Sequence, residues 1–66
     1  MQVEVFDDGE IESELFHGEF DAIPRVGETI TRDAGGFFRY FEVLAVWYRE
    51  DSDGKVQACL SVKLND

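Results

Sequence analysis

Apolar and polar residues alternate with period two in several stretches of the chain, which predicts β-strands. Gln2 to Phe6 alternates, with Val3 and Val5 on one side, and Glu10 to Leu15 alternates again after Asp7-Asp8-Gly9. An Asp-Gly between two such runs predicts a hairpin. A two-residue loop would set Val5 against Glu12 and Val3 against Glu14. A three-residue loop with Gly9 in a G1 bulge instead pairs Val5 with Ile11, Val3 with Ser13 and Met1 with Leu15. Register follows the buried face, so the three-residue loop is expected. It leaves Gln2, Glu4, Phe6, Glu10, Glu12 and Glu14 on the other face. A helix over residues 9–17 is the rival, with Asp8 as cap, Ile11 and Leu15 at i, i+4, and Gly18 as its end. It would span barely two turns and need strong packing support.

Phe20 to Gly27 reads as a connection in which Pro24 holds Ile23 extended and Gly27 takes a turn conformation. Glu28 to Arg32 is β-branched and strand-like, and Asp33-Ala34-Gly35-Gly36 is a turn. Phe37 to Glu50 carries apolar groups at both parities. It is the expected central strand, bent or bulged as in a small closing sheet. After the polar turn Asp51 to Lys55, Val56, Ala58, Leu60, Val62 and Leu64 alternate strictly with polar or small residues. That predicts a half-buried last strand pairing back on the long one. The expected fold is all-β: one domain over residues 1–66, a strongly bent antiparallel sheet or SH3-like or OB-like barrel of four to five strands.

The segment Ile23-Pro24-Arg25-Val26-Gly27-Glu28-Thr29-Ile30, followed by Tyr40-Phe41-Glu42-Val43-Leu44-Ala45-Val46, resembles a pattern of small β-barrel proteins of bacteria and their phages. The likeness covers about a third of the chain and implies an SH3-like barrel without any particular chemistry.

Charge changes the picture more than composition does. The 66 residues hold 15 acids against 6 bases, a formal charge of −9. Such a balance disfavours direct binding to nucleic acid or to an anionic membrane. Residues 1–21 hold eight acids, Glu4, Asp7, Asp8, Glu10, Glu12, Glu14, Glu19 and Asp21, and no lysine or arginine. In the expected register Glu10, Glu12 and Glu14 project from one side of a strand at about 6.6–6.8 Å, twice the strand rise. Glu4 lies opposite Glu12, a like-charge pair that invites a basic partner. Phe6 is then either an apolar anchor on this face or packed beneath a loop. In length and acidity the chain is similar to phage anti-CRISPR and other DNA-mimic inhibitors, a class without a shared motif. That similarity implies a non-enzymatic inhibitor whose acidic face occupies a nucleic-acid-binding protein.

Other chemistry is thin. His17 and Cys59 are the only conceivable nucleophile pair, and a partly exposed histidine with a small core thiol is the plainer reading. Asp51-Ser52-Asp53-Gly54 echoes a calcium loop, but the third acid is missing and Val62 stands where the glutamate belongs. No catalytic residue, cofactor or metal site is expected. One cysteine, no basic leader and no apolar run of membrane length fit a cytoplasmic protein that is complete as it stands. Trp47 is either core or part of a binding surface. With Tyr48 and Tyr40 it supports an alternative function, an adaptor or structural subunit that binds protein through aromatic or edge-strand surfaces. A monomer and a dimer both fit the sequence.

Overall fold

The structure is a computed structural model and describes residues 1–10 and 12–65. Five strands follow one another: β1 (Gln2–Asp7), β2 (Glu14–Glu19), β3 (Thr29–Asp33), β4 (Phe38–Glu50) and β5 (Val56–Leu64). They form one sheet in the order β2-β1-β5-β4-β3, and no helix occurs among the described residues. The all-β, strongly bent five-stranded fold is as expected. The sheet is mixed rather than purely antiparallel, because β1 and β5 run parallel. This follows from connectivity: the segment between β2 and β3 carries the chain from one sheet edge to the other.

The sheet curls into a half-barrel. Phe16 of β2 packs its ring 6.1 Å from that of Phe41 on β4, and the Arg32 guanidinium of β3 lies 4.0 Å over Phe16. These contacts link strands from opposite sides of the sheet across its inner face. That face holds the core of Val3, Val5, Phe41, Val43, Ala58, Leu60 and Val62, with Phe20, Ile23 and Ile30 packed at its margin. A bulge at Leu44, between Val43 and Ala45, shifts the β4–β5 register and supports the bend expected of the long strand.

The first hairpin departs from its expected register. Val5 pairs with Phe16 and Val3 with Gly18, five residues further along than the three-residue loop predicts. The first strand ends at Asp7 and the second begins at Glu14, so neither Glu10 nor Glu12 lies in a strand. Met1 is not opposite Leu15; its carbonyl accepts the Phe20 amide at 2.8 Å. The Val5 partner expected at Ile11 falls outside the described residues. The physical reason is burial. An odd shift turns Phe16 inward in place of Leu15, and a phenylalanine removes more apolar surface from water. It also turns Gly18 inward, where the Phe20 ring lies 3.3 Å from the position of an added Cβ. Leu15 becomes the extra residue of a bulge, 43% exposed. The helix alternative over 9–17 is excluded where β2 is formed, from Glu14 onward.

The other turns match their residue chemistry. Glu28 donates its amide to the Arg25 carbonyl and Gly27 sits at φ +92°, which fits a type II turn. The Asp51–Lys55 turn has Gly54 at φ +84° and spends its acids locally: Asp53 accepts the Lys55 amide, and Asp51 takes Arg49.

Candidate binding surfaces

The eight acids of the first third separate into two sets. Asp7, Asp8, Glu10, Glu12 and Glu14 fall within eight consecutive residues, and all five are exposed. The connection that bears them is tied at its start: Asp8 N donates to Val62 O at 2.9 Å, and Glu10 N to Asp7 O at 2.9 Å. Asp7, Asp8, Glu10 and Glu12 have no ion-pair partner among the described residues. Glu14 has His17, whose Nδ1 lies 3.1 Å from its Oε1. A shallow groove of about 250 Å³ runs among Asp7, Glu10, Ser13, Glu14 and Leu15.

The second set is engaged or apart. Glu4 receives both terminal nitrogens of Arg49, at 2.8 and 3.0 Å, across the intervening strand β5. Arg49 Nε reaches Asp51 at 2.7 Å. The hydrogen bonds from Arg49 hold both carboxyls below their ordinary range. Glu19 accepts the terminal amine of Met1 at 2.6 Å and the Gln2 side chain at 2.7 Å, which lowers its pKa. Asp21 is exposed in the connection after β2. The ladder of Glu10, Glu12 and Glu14 along one strand does not exist. The expected Glu4–Glu12 pair does not form either; His17 stands opposite Glu4.

Both aromatic residues of uncertain role belong to the outer face. Phe6 is only 5% exposed and stacks on half-buried Trp47, with ring centroids 5.7 Å apart. Phe6 is therefore not an exposed anchor, and Trp47 packs against it. The parity of the last strand predicts an open outer face, yet Cys59 and Ser61 are buried there. Phe6 and Trp47 are register partners of Ser61 and Cys59, and Arg49 Nη1 lies 3.9 Å from Cys59 Sγ. Burial pushes the Cys59 thiol up. His17 and Cys59 are kept apart by β1, with Glu4 paired to both positions. No group of three His, Cys, Asp or Glu residues among those described is arranged to hold a metal ion.

The exposed aromatics are Phe37, Phe38, Tyr40 and Tyr48, 47–60% accessible. Three of them cluster on the β3–β4 hairpin, where Arg32 and Arg39 face each other directly. Sequence reasoning passed over this arginine pair. The signal was present: a hairpin centred on Gly35-Gly36 sets residues 32 and 39 opposite each other.

No family model matches the chain, and no curated protein or solved structure shows significant similarity to it.

Proposed function

We propose that this protein is a non-enzymatic, cytoplasmic binding protein whose acidic surface occupies the basic, nucleic-acid-binding surface of another protein, as a phage-type DNA-mimic inhibitor does. The reading is carried by the run of exposed carboxylates from Asp7 to Glu12, without ion pairs among the described residues, beside Glu14. Their like charges repel one another, and a basic groove would relieve that repulsion while steering the encounter. Glu4 and Glu19 are already engaged and contribute less. The test is an affinity capture from host lysate with the wild type and the Glu10→Gln/Glu12→Gln/Glu14→Gln variant, at low and moderate salt. Support is a nucleic-acid-binding protein held by the wild type and lost with the variant or with salt. A partner retained equally by both refutes the acidic-surface reading.

A second reading, an adaptor acting through aromatic or edge-strand surfaces, is favoured by exposed Phe37, Phe38 and Tyr40 beside the free edge of β3. Trp47 plays a smaller part in it, because its ring covers Phe6.

A further inference from the structure

The β3 edge is distinctive in both charge and shape. Val43 N donates to Glu28 O at 2.9 Å, and Ala34 N to Phe37 O at 2.7 Å. Antiparallel alternation from these two bonds turns the backbone groups of Ile30 and Arg32 towards β4. The N–H and C=O groups of Thr29, Thr31 and Asp33 then point away from β4. No described strand pairs with that side. The edge has no proline and no bulge, two of the devices that blunt such edges elsewhere; its shortness, five residues, and its inward-pointing Arg32 are the blunting features it does carry.

Beside the start of this edge lies a mainly apolar groove of about 510 Å³, walled by Phe20, Ala22, Ile23 and Pro24 against Glu28, Thr29 and Ile30. Further along the same inner face stand Arg32 and Arg39. In a chain with 15 acids, neither has an ion pair or a side-chain hydrogen bond among the described residues. The Phe16 ring covers one face of the Arg32 guanidinium at 4.0 Å and leaves its in-plane N–H groups free. Two like charges directly opposite each other destabilise a hairpin unless an anion joins them.

We propose that the free edge of β3 takes an extended segment of another protein as an added strand. This segment carries an apolar residue and a carboxylate two positions apart. Strand spacing defines the pattern: the residue beside Ile30 enters the apolar groove, and the residue beside Arg32 faces the two guanidiniums. The proposal rests on the edge-strand reading above and is independent of the acidic surface. A second copy of this chain fits poorly. Two β3 edges paired about a two-fold axis would bring four guanidiniums together on one face, between molecules each carrying −9.

The experiment is a titration of the isotope-labelled full chain with millimolar acetyl-Thr-Val-Thr-Glu-Thr-amide, followed by amide resonances. Controls carry Gln for Glu or Ser for Val in the peptide, and acetate alone is run in parallel. The expected result is saturable shifts centred on Thr29, Thr31 and Asp33, weaker with either altered peptide. The exposed Arg39→Gln variant should bind about fivefold more weakly, the upper end for one exposed ion pair. An equal response to all three peptides, or to acetate, overturns the proposal. Concentration-dependent shifts of the same amides without peptide also overturn it, by assigning the edge to a second copy. Shifts confined to Phe38, Tyr40 or β2 overturn the β3 site while leaving the wider aromatic or edge reading standing. No shift with any peptide counts against both.

Discussion

The stack of Phe6 on Trp47 gives the outer face of the sheet its own small core, and Phe6→Leu tests it. Leucine keeps the position apolar but cannot stack. The lost ring pairing is worth about 0.5–1.5 kcal/mol, and the imperfect refilling of the space adds a few tenths more, for a total of about 1–2 kcal/mol. An exposed Phe6 would make the same change neutral to within about 0.5 kcal/mol.

Cys59 reports on that cover from beneath. Its thiol is 0% exposed in the native state, so a thiol reagent reaches it only when the structure opens. With opening in rapid pre-equilibrium, 1–2 kcal/mol corresponds to a labelling rate about 5- to 30-fold higher. The urea midpoint should fall by about 1–2 M, taking a slope of about 1 kcal/mol/M for so small a domain. Wild type and Phe6→Leu are compared by absorbance of the released reagent at fixed pH and temperature. Two results refute the reasoning: wild-type Cys59 reacting as fast as a free thiol, or a variant with unchanged labelling and midpoint.

Three further outcomes are expected. Leu60→Ala empties the centre of the inner core and should cost about 2–5 kcal/mol, against a total of about 3–10 kcal/mol for a chain this long; a thermal midpoint within a few degrees of wild type by circular dichroism contradicts this. Glu4, Glu19, Glu28 and Asp51 all titrate below their ordinary values when folded, so their stabilisation is full above those values and is lost as pH falls through the depressed ones. The urea midpoint should therefore drop between neutral pH and pH of about 3, less steeply for Glu4→Gln; equal slopes for the two proteins would exclude Glu4 as a contributor. Gly27→Ala meets open space but an unfavourable φ of +92°, and should lose about 1–2 kcal/mol in a denaturant titration, where an unchanged value would show that the turn relaxes.

Much of the fold was legible because strand periodicity and turn residues agreed. The β3–β4 and β4–β5 hairpins follow from glycine-bearing turns flanked by long apolar runs, and four strands lie within a residue or two of their expected bounds. The β1–β2 register was misread for a specific reason. Asp7-Asp8-Gly9 is a strong local turn signal, and Gly9 does adopt φ +80°. Yet the larger apolar gain lay further on, at Phe16 and at Gly18 with Phe20 above it. A short turn fixes where a chain bends, while the buried face decides where it pairs again. The candidate site suffered in turn, since a ladder of glutamates on one strand existed only in the rejected register. Arg49 lies 45 positions from Glu4, and no local pattern announces a pairing across a parallel strand.

The ion pairs sharpen the functional argument beyond net charge. Arg49 and Arg25 are held by Glu4, Asp51 and Glu28. Among the charges left without an ion pair in the described residues are two groups, the carboxylates of the β1–β2 connection and the guanidiniums of the β3–β4 hairpin. A bridge between the sheet edges would have satisfied part of this charge, and the curl already brings Arg32 of β3 onto Phe16 of β2. The arginine instead lies on the ring, which orients it without neutralising it. Unpaired charge of both signs, in the β1–β2 connection and on the β3–β4 hairpin, favours partners of opposite chemistry at the two places. A basic protein at the connection and an acidic strand at β3 could then be held together by one small domain. Binding of one should leave the affinity for the other unchanged to within electrostatic screening, and a larger coupling would point to the Arg32–Phe16 contact that links the two sides.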